Sequence, residues 1–465
     1  MLLGVFGLKK VIAGLAVSIL LGVTLSCSSY GSGYGTTTTN VRPTDRRAFI
    51  SDPVFPNITG SGSPAVAVLD ASVDELSGSF ITLQTLLGGT LQSAGMMEVS
   101  PKRDHTLVFS APDNKIGIVS NSGDSLGSAV SLPGWTESFA WTDNSTAFVA
   151  SPSASANGQA AGEVLRLDIA SATISATIPV PSAHYLMPSP DGSKVLVFSD
   201  NSNSLTLITP SLIASANSNS TTPCGPSQVA LCSLPGFDRP VGAIFDSSGL
   251  TAYVLNCGAQ CGGTGVGACA SFTLCTSISV LDLSQSPPKI SNTVAVPAAT
   301  TGLLQGSTLY VAGTPALPSD NNCSGVTPTT AATICGRLTA INLQTLTPAS
   351  IAITDGYHTR MSMSANNQLF VGSRNCTNIE VTGGEVRGCL TVVNISSGNI
   401  AASGVIVPPD NGDVTGLEAV PNRNVVYVCQ GGRFRVYDTT TDKIQINQFP
   451  PDVVGQAVDV KMADF

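Results

Sequence analysis

A chain of 465 residues with 11% charged side chains, 46 glycines and a net charge of −9 at pH 7 has room for one large or two ordinary domains. It is poorly composed for helices, whose solvent faces want Glu, Lys and Arg, and well composed for strands and turns. The acidic balance, with no Lys/Arg stripe anywhere, excludes a phosphate backbone as partner, so no nucleic acid is expected.

In chain order, the first element is a targeting segment. Lys9 and Lys10 precede an apolar run over residues 11–25, which ends in Thr24, Leu25, Ser26 and Cys27. A basic start, an apolar middle and a small residue before the cut make a secretory signal over residues 1–26. The run is shorter than the roughly 20 apolar residues that span a bilayer, which weighs against a membrane anchor. A cysteine directly after Ser26 resembles the lipobox of bacterial lipoproteins in its looser form. That resemblance implies lipidation of Cys27, attachment to the bacterial cell envelope through the lipid alone, and an ordinary signal peptide as the alternative. Ser28, and not Asp, follows the cysteine, which favours the outer membrane. Residues 27–45 are rich in Ser, Gly, Thr and Tyr without apolar period and read as a flexible tether.

From Arg46 onward one pattern recurs. A short apolar strand meets a polar turn, then a Val/Phe/Tyr-rich strand, a loop, a third strand often ending in Asp, and a final Thr/Ile/Val strand. The clearest copy places Asp191-Gly192 as the tight turn before the run 195–199, followed by the run 205–209. Units of roughly 45 to 60 residues built as four-stranded antiparallel meanders suit propeller blades. Seven complete units begin near Ala94, Glu137, His184, Val241, Thr301, Arg360 and Val414. Residues 456–462 look like a first strand with nothing after it, and residues 47–83 like second to fourth strands with nothing before them. Joining them closes a ring and removes a long unpaired edge. The fold class expected is therefore all-β, a single β-propeller over residues 46–465. Its ends share one blade. Eight blades are counted, or seven if the Gly/Ser-rich unit near Thr301 is not one. A two-domain sandwich would need unequal strand spacing and a central linker, and neither is present.

Twelve cysteines in an exported chain read as disulfides. Local spacing pairs Cys224 with Cys232, Cys323 with Cys335 and Cys376 with Cys389. Cys257, Cys261, Cys269 and Cys275 form a two-bond cluster whose connectivity spacing leaves open. Zinc is the rival for that quartet, but paired C-x2-C knuckles and histidine partners are lacking, so no metal is expected. Cys429, within an apolar run, is expected to be a buried free thiol.

The copies bearing Ser-Pro-Asp-Gly at 189–192, the run 195–199 and the segment 168–180 resemble the YVTN-type, YncE-like repeat of bacterial and archaeal propellers. The resemblance covers most of the chain beyond Arg46 and implies the fold. It leaves function open, because such repeats occur in surface-layer proteins, binding proteins and lactonase-like enzymes alike.

In such meanders the loop between second and third strands shares a face with the connection into the next blade. The insertions at 152–162, 256–276, 314–336 and 375–388 should therefore gather around one mouth, and three of them carry cysteine pairs. The insertion holding Cys224 and Cys232 follows a third strand and belongs to the opposite face. Residues just before each first strand line the mouth: Glu137, His184, Arg239, His358, Arg360 and Asp413. His184 and His358 fall at equivalent places in nonadjacent blades, so with Glu137 and Asp413 they are the candidates for acid–base work or metal binding. Covalent haem lacks its C-x-x-C-H motif, two tryptophans are too few for a quinoprotein ring, and 262–267 lacks the Lys-Ser/Thr of a phosphate loop. No cofactor is expected. The reading favours a non-enzymatic binding or scaffold module, with a protein or cell-envelope polymer as partner. The alternative is a lactonase-like hydrolase at the channel mouth using His184, His358 and Glu137.

Overall fold

Runs such as 147–150 and 195–198 carry no polar alternation, and all eight of these residues are buried. A strand covered on both faces needs apolar side chains on both, which is why the pattern is continuous. The computed structural model describes residues 46–56, 62–84, 91–155, 160–213, 222–269, 272–316, 323, 335–376, 387–396, 399–406, 412–445, 453 and 455–464. The expected signal segment 1–26, Cys27 and the expected tether over 27–45 fall outside the described residues.

Eight four-stranded antiparallel sheets, each a simple meander, form the ring. Blade 1 contains Arg47–Pro56, Gly62–Asp70 and Glu75–Thr82 and takes its innermost strand, Asp459–Met462, from the other chain end. Ala48 pairs with Met462, Phe49 with Lys461, Ile50 with Val460 and Ser51 with Asp459. Blades 2 to 8 open with Met97–Val99, Ser138–Trp141, Ala183–Pro188, Pro240–Phe245, Thr301–Gln305, Tyr357–Met363 and Val414–Ala419. The unit near Thr301 is a complete blade, with Thr308–Gly313, Gly336–Asn342 and Thr347–Ile353 following in order. The count is therefore eight.

The core is divided among the interfaces between blades. Eight apolar clusters occur among the described residues, and each joins one adjacent pair. Two of them flank the shared blade: Ile50, Val460 and Met462 pack on Tyr427 and Val436 of blade 8, while Phe49 and Val68 pack on Met97 and Val108 of blade 2. Closure thus rests on packing as well as on the ladder.

The aspartates that end third strands are turn formers. Asp70, Asp168, Asp282 and Asp438 accept backbone N–H bonds from Ser72, Ser171, Ser284 and Thr440 at 2.8–2.9 Å, the local competition that makes Asp a strand terminator. Asp191 accepts the Ser189 hydroxyl and the Ser193 amide and hydroxyl, which hold its carboxyl down at about 2.

Five disulfides are closed: Cys224–Cys232, Cys257–Cys261, Cys269–Cys275, Cys323–Cys335 and Cys376–Cys389. Their Cα separations of 4.8–6.0 Å lie in the ordinary range. The quartet is resolved as two consecutive local bonds. Cys429 is a free, buried thiol whose pKa burial pushes well up, which makes it unreactive.

Candidate functional site

The first strand of every blade lines the central channel, and its opening residues share a face with the loops joining second to third strands. A cavity of about 790 Å³ runs down this channel from Glu137, Tyr185, Tyr357 and Arg374 at the loop face to Ser189 and Phe245 at the far end. A smaller one of about 190 Å³ adjoins it, sharing Tyr185, Phe198, Val241 and Tyr357 and adding His184, Asp200, Arg239 and Cys261. The Cys257–Cys261 loop therefore walls the mouth.

At the mouth His184 is held between two carboxylates. Its Nδ1 lies 2.8 Å from Asp200 Oδ1 and its Nε2 lies 3.2 Å from Glu137 Oε2. The imidazole stacks on Tyr185 at 4.0 Å and meets the edge of Trp135 at 5.5 Å. Tyr185 donates its hydroxyl to Glu137 at 3.4 Å. Burial works to lower the imidazole pKa, but Glu137 and Asp200 together raise it above its usual value. His184 in turn holds Glu137 below the usual carboxylate range, with help from Arg374. An NMR titration should find His184 above the ordinary histidine value of about 6.5. Glu137→Gln or Asp200→Asn should each bring it down. The sign is that of a base gaining acidic partners: its stabilisation is complete below the unfolded value and fades as pH rises through the folded one.

His358 does not join this group. It is 1% exposed, its Nε2 faces the Thr354 carbonyl at 2.9 Å, and burial pushes its pKa down to about 4. The reason is an offset of one residue that spacing conceals. The first strands of blades 4, 5, 7 and 8 each open with a bulge: Ala183 pairs with Ser199 but Tyr185 with Phe198, and His358 pairs with Ser373 but Arg360 with Gly372. The extra residue is His184 in one blade and Thr359 in the other, so His358 corresponds to Ala183, which is also fully buried. Asp413 is half-buried and engaged elsewhere, its carboxylate accepting the Asn375 amide at 3.3 Å and tying one stapled loop to the next blade. Neither completes an acid–base or metal constellation with His184.

Arg360 spans the channel wall to the Thr415 carbonyl at 3.0 Å. Arg239 and Arg374 differ from it: among the described residues their guanidinium groups make no hydrogen bond or ion pair, and both Nε atoms are buried without a partner. Asp355, Cys376 and Cys389 are the one described group of three potential metal ligands, but the two sulfurs are joined to each other. Deeper in the channel, Lys461 lies 3.2 Å from Glu98. Against the burial that would lower it, Glu98, Asp459 and Glu418 hold this ammonium above its usual value, while burial pushes Glu418 up to about 7.

Sequence reasoning missed Asp200, Tyr185, Tyr357, Trp135 and Arg374. Asp200 and Arg374 end or follow second strands, facing first-strand openings across the ladder. A search confined to residues before first strands could not reach them.

No protein-family model and no curated protein matches the chain. Solved structures do. The dihydro-heme d1 dehydrogenase NirN, solved in complex with DHE, is 12% identical over 92% of this chain and 77% of its own, with a TM-score of 0.54. Kuenenia stuttgartiensis hydrazine synthase is 12% identical over 79% of this chain and 99% of its own, at 0.49. A functionally unknown protein from Desulfotomaculum acetoxidans DSM 771 is 10% identical over 90% and 98%, at 0.48. At such identities the likeness to NirN carries the fold alone: this chain is an eight-bladed β-propeller.

Proposed function

We propose that this protein is an exported, lipid-anchored β-propeller of the YVTN type that acts as a non-enzymatic binding module at the bacterial cell envelope, with the loop-face mouth as its binding surface. One observation carries the choice of binding over catalysis. A general base near neutral pH needs a free lone pair, and both nitrogens of His184 are engaged by carboxylates. Glu137, held low, is a weak base, and His358 is walled off.

What the mouth offers is a fixed polar and aromatic surface. Trp135 and Tyr357 are each 40% exposed beside the His184–Tyr185 stack, and the Cys257–Cys261 bond stiffens the adjoining wall. Such preorganisation lowers the ordering cost of binding. Export is supported by the five disulfides, which persist in oxidising compartments, and lipidation by the cysteine after Ser26. The partner is a cell-envelope polymer, with an envelope protein as the other class.

The test is co-sedimentation of the purified mature protein with isolated, protein-stripped envelope polymer. Wild type should pellet, and Trp135→Ala with Tyr357→Ala should weaken retention at least tenfold. Equal retention of the double variant defeats the mouth as the site. The hydrolase reading is favoured instead by lactone turnover that His184→Ala abolishes. Cys27→Ser should move the protein from the membrane fraction to the soluble one.

A further inference from the structure

We infer that the mouth selects a sugar ligand bearing a carboxylate, which sits on Arg239 and Arg374. The inference rests on the mouth being the binding surface and adds the charge and chemical class of what it takes.

Arg239 and Arg374 line the two adjoining cavities, on surfaces that meet at Tyr185 and Tyr357. Other cations of the channel are committed: Arg360 to the Thr415 carbonyl, Lys461 to Glu98. These two residues are half-buried, their Nε atoms are shielded from water without a hydrogen-bond partner, and Arg374 acts on Glu137 only through its field. A buried N–H without an acceptor is unfavourable, and a planar oxyanion, which can take Nε and a terminal nitrogen together, is the group a guanidinium fork matches.

The backbone at Arg239 bears on how the arginine can be removed. Its φ is +53°, in the left-handed region, directly before Pro240. That conformation costs a bulky side chain roughly 1–2 kcal/mol, and the residue before a proline is biased towards extended backbone. The residue in register with it in blade 4, Ser182, has φ +54°, so the blade opening itself calls for a left-handed backbone that glycine would adopt without strain.

Charge and shape then narrow the class. The mouth holds the guanidinium groups of Arg239 and Arg374, while its carboxylates Glu137 and Asp200 are both engaged by His184, an arrangement that suits an anionic group on the ligand. The exposed faces of Trp135 and Tyr357 suit a sugar ring, and Glu137 and Asp200, 52% and 48% exposed, offer acceptors to its hydroxyls. A uronic-acid residue of an envelope polysaccharide combines these features.

The experiment is calorimetric titration of the mature protein with trigalacturonic acid and with its fully methyl-esterified trimer, which keeps the shape and loses the charge. The acid should bind at least tenfold more tightly than the ester, with an affinity that falls as salt rises. Arg239→Gly and Arg374→Gln should each weaken acid binding at least tenfold and leave ester binding unchanged. Arg239→Gly should also melt no lower than wild type, because glycine fits the left-handed backbone. Equal affinity for acid and ester, no binding of the acid, or acid binding untouched by both arginine variants overturns the inference. Trp135→Ala with Tyr357→Ala separates the two levels. If it removes acid and ester binding while the arginine variants remove neither, the mouth is the site and the charge selection is wrong. If acid binding survives it unchanged, the mouth itself is the wrong surface and the inference falls with it.

Discussion

Removal of residues 457–465 is expected to abolish cooperative folding. The strand Asp459–Met462 is the innermost element of blade 1, and Val460, Met462, Ala457 and Ala463 are at most 1% exposed. Losing it strips two interblade interfaces at once, those with Tyr427 and Val436 on one side and with Met97 on the other. It also leaves the Met97 amide without the Asp459 carboxylate that accepts it at 2.9 Å, and Glu98 without Lys461. Burying a side chain of valine or methionine size contributes about 1.5–3 kcal/mol. Two of these, with a four-pair ladder and its buried polar contacts, approach the roughly 5–15 kcal/mol that a domain has in total. The exposed strand Arg47–Pro56 would then be an open edge, prone to pairing with other copies. Near-ultraviolet circular dichroism and a thermal melt decide the matter. The truncated chain should show no sharp transition and should aggregate, and a wild-type melting curve would mean that the ring does not depend on its shared blade.

The ring was legible in the sequence because its evidence is repetition. Continuous apolar second strands, Asp-terminated third strands and an incomplete unit at each end are consequences of burial and turn chemistry that any one copy displays weakly and the set displays clearly. Even the Gly/Ser-rich unit near Thr301 follows the register, with Tyr310, Val311 and Ala312 at most 1% exposed.

The mouth was legible as a place and not as a constellation. Glu137, His184 and Arg239 stand where the repeat puts them. His358 does not, because it precedes the bulge residue of its strand while His184 is itself the bulge residue, and nothing in the sequence marks where a bulge begins. The same bulge explains why His184, as the extra residue, is free to reach across to Glu137 of blade 3 and Asp200 of its own blade. Tyr185 and Tyr357 left no signal because tyrosine in a strand is ordinary. Arg374 left none because the burial of its unpaired Nε is a property of three dimensions.

Asp74→Ala should lower stability by about 3–5 kcal/mol, the range for breaking a buried ion pair and leaving its partners behind. Asp74 sits in the tight turn between Gly62–Asp70 and Glu75–Thr82 of blade 1, and its side chain is 3% exposed. It accepts a two-pronged contact from Arg423 of blade 8 at 2.6 and 2.8 Å and the Tyr427 hydroxyl at 2.6 Å. Arg423 also donates to the Ala71 carbonyl at 2.5 Å, so one guanidinium holds the whole turn. Removing the carboxylate strands a phenol and a cation at the interface that closes the ring. For a domain of this size the loss should appear as a melting temperature lower by roughly 3–5 °C. Asp74 has φ +61°, a conformation that asparagine tolerates. Asp74→Asn therefore keeps the turn and one acceptor while discarding the charge, and should lose less than alanine does. Tyr427→Phe, which removes only the hydroxyl, should lose about 1 kcal/mol. A cycle of Asp74→Ala with Tyr427→Phe should be non-additive, because both changes act on one cluster. Strict additivity, or an Asp74→Ala protein as stable as wild type, would place the closing strength of the ring in the Asp459–Met462 ladder alone.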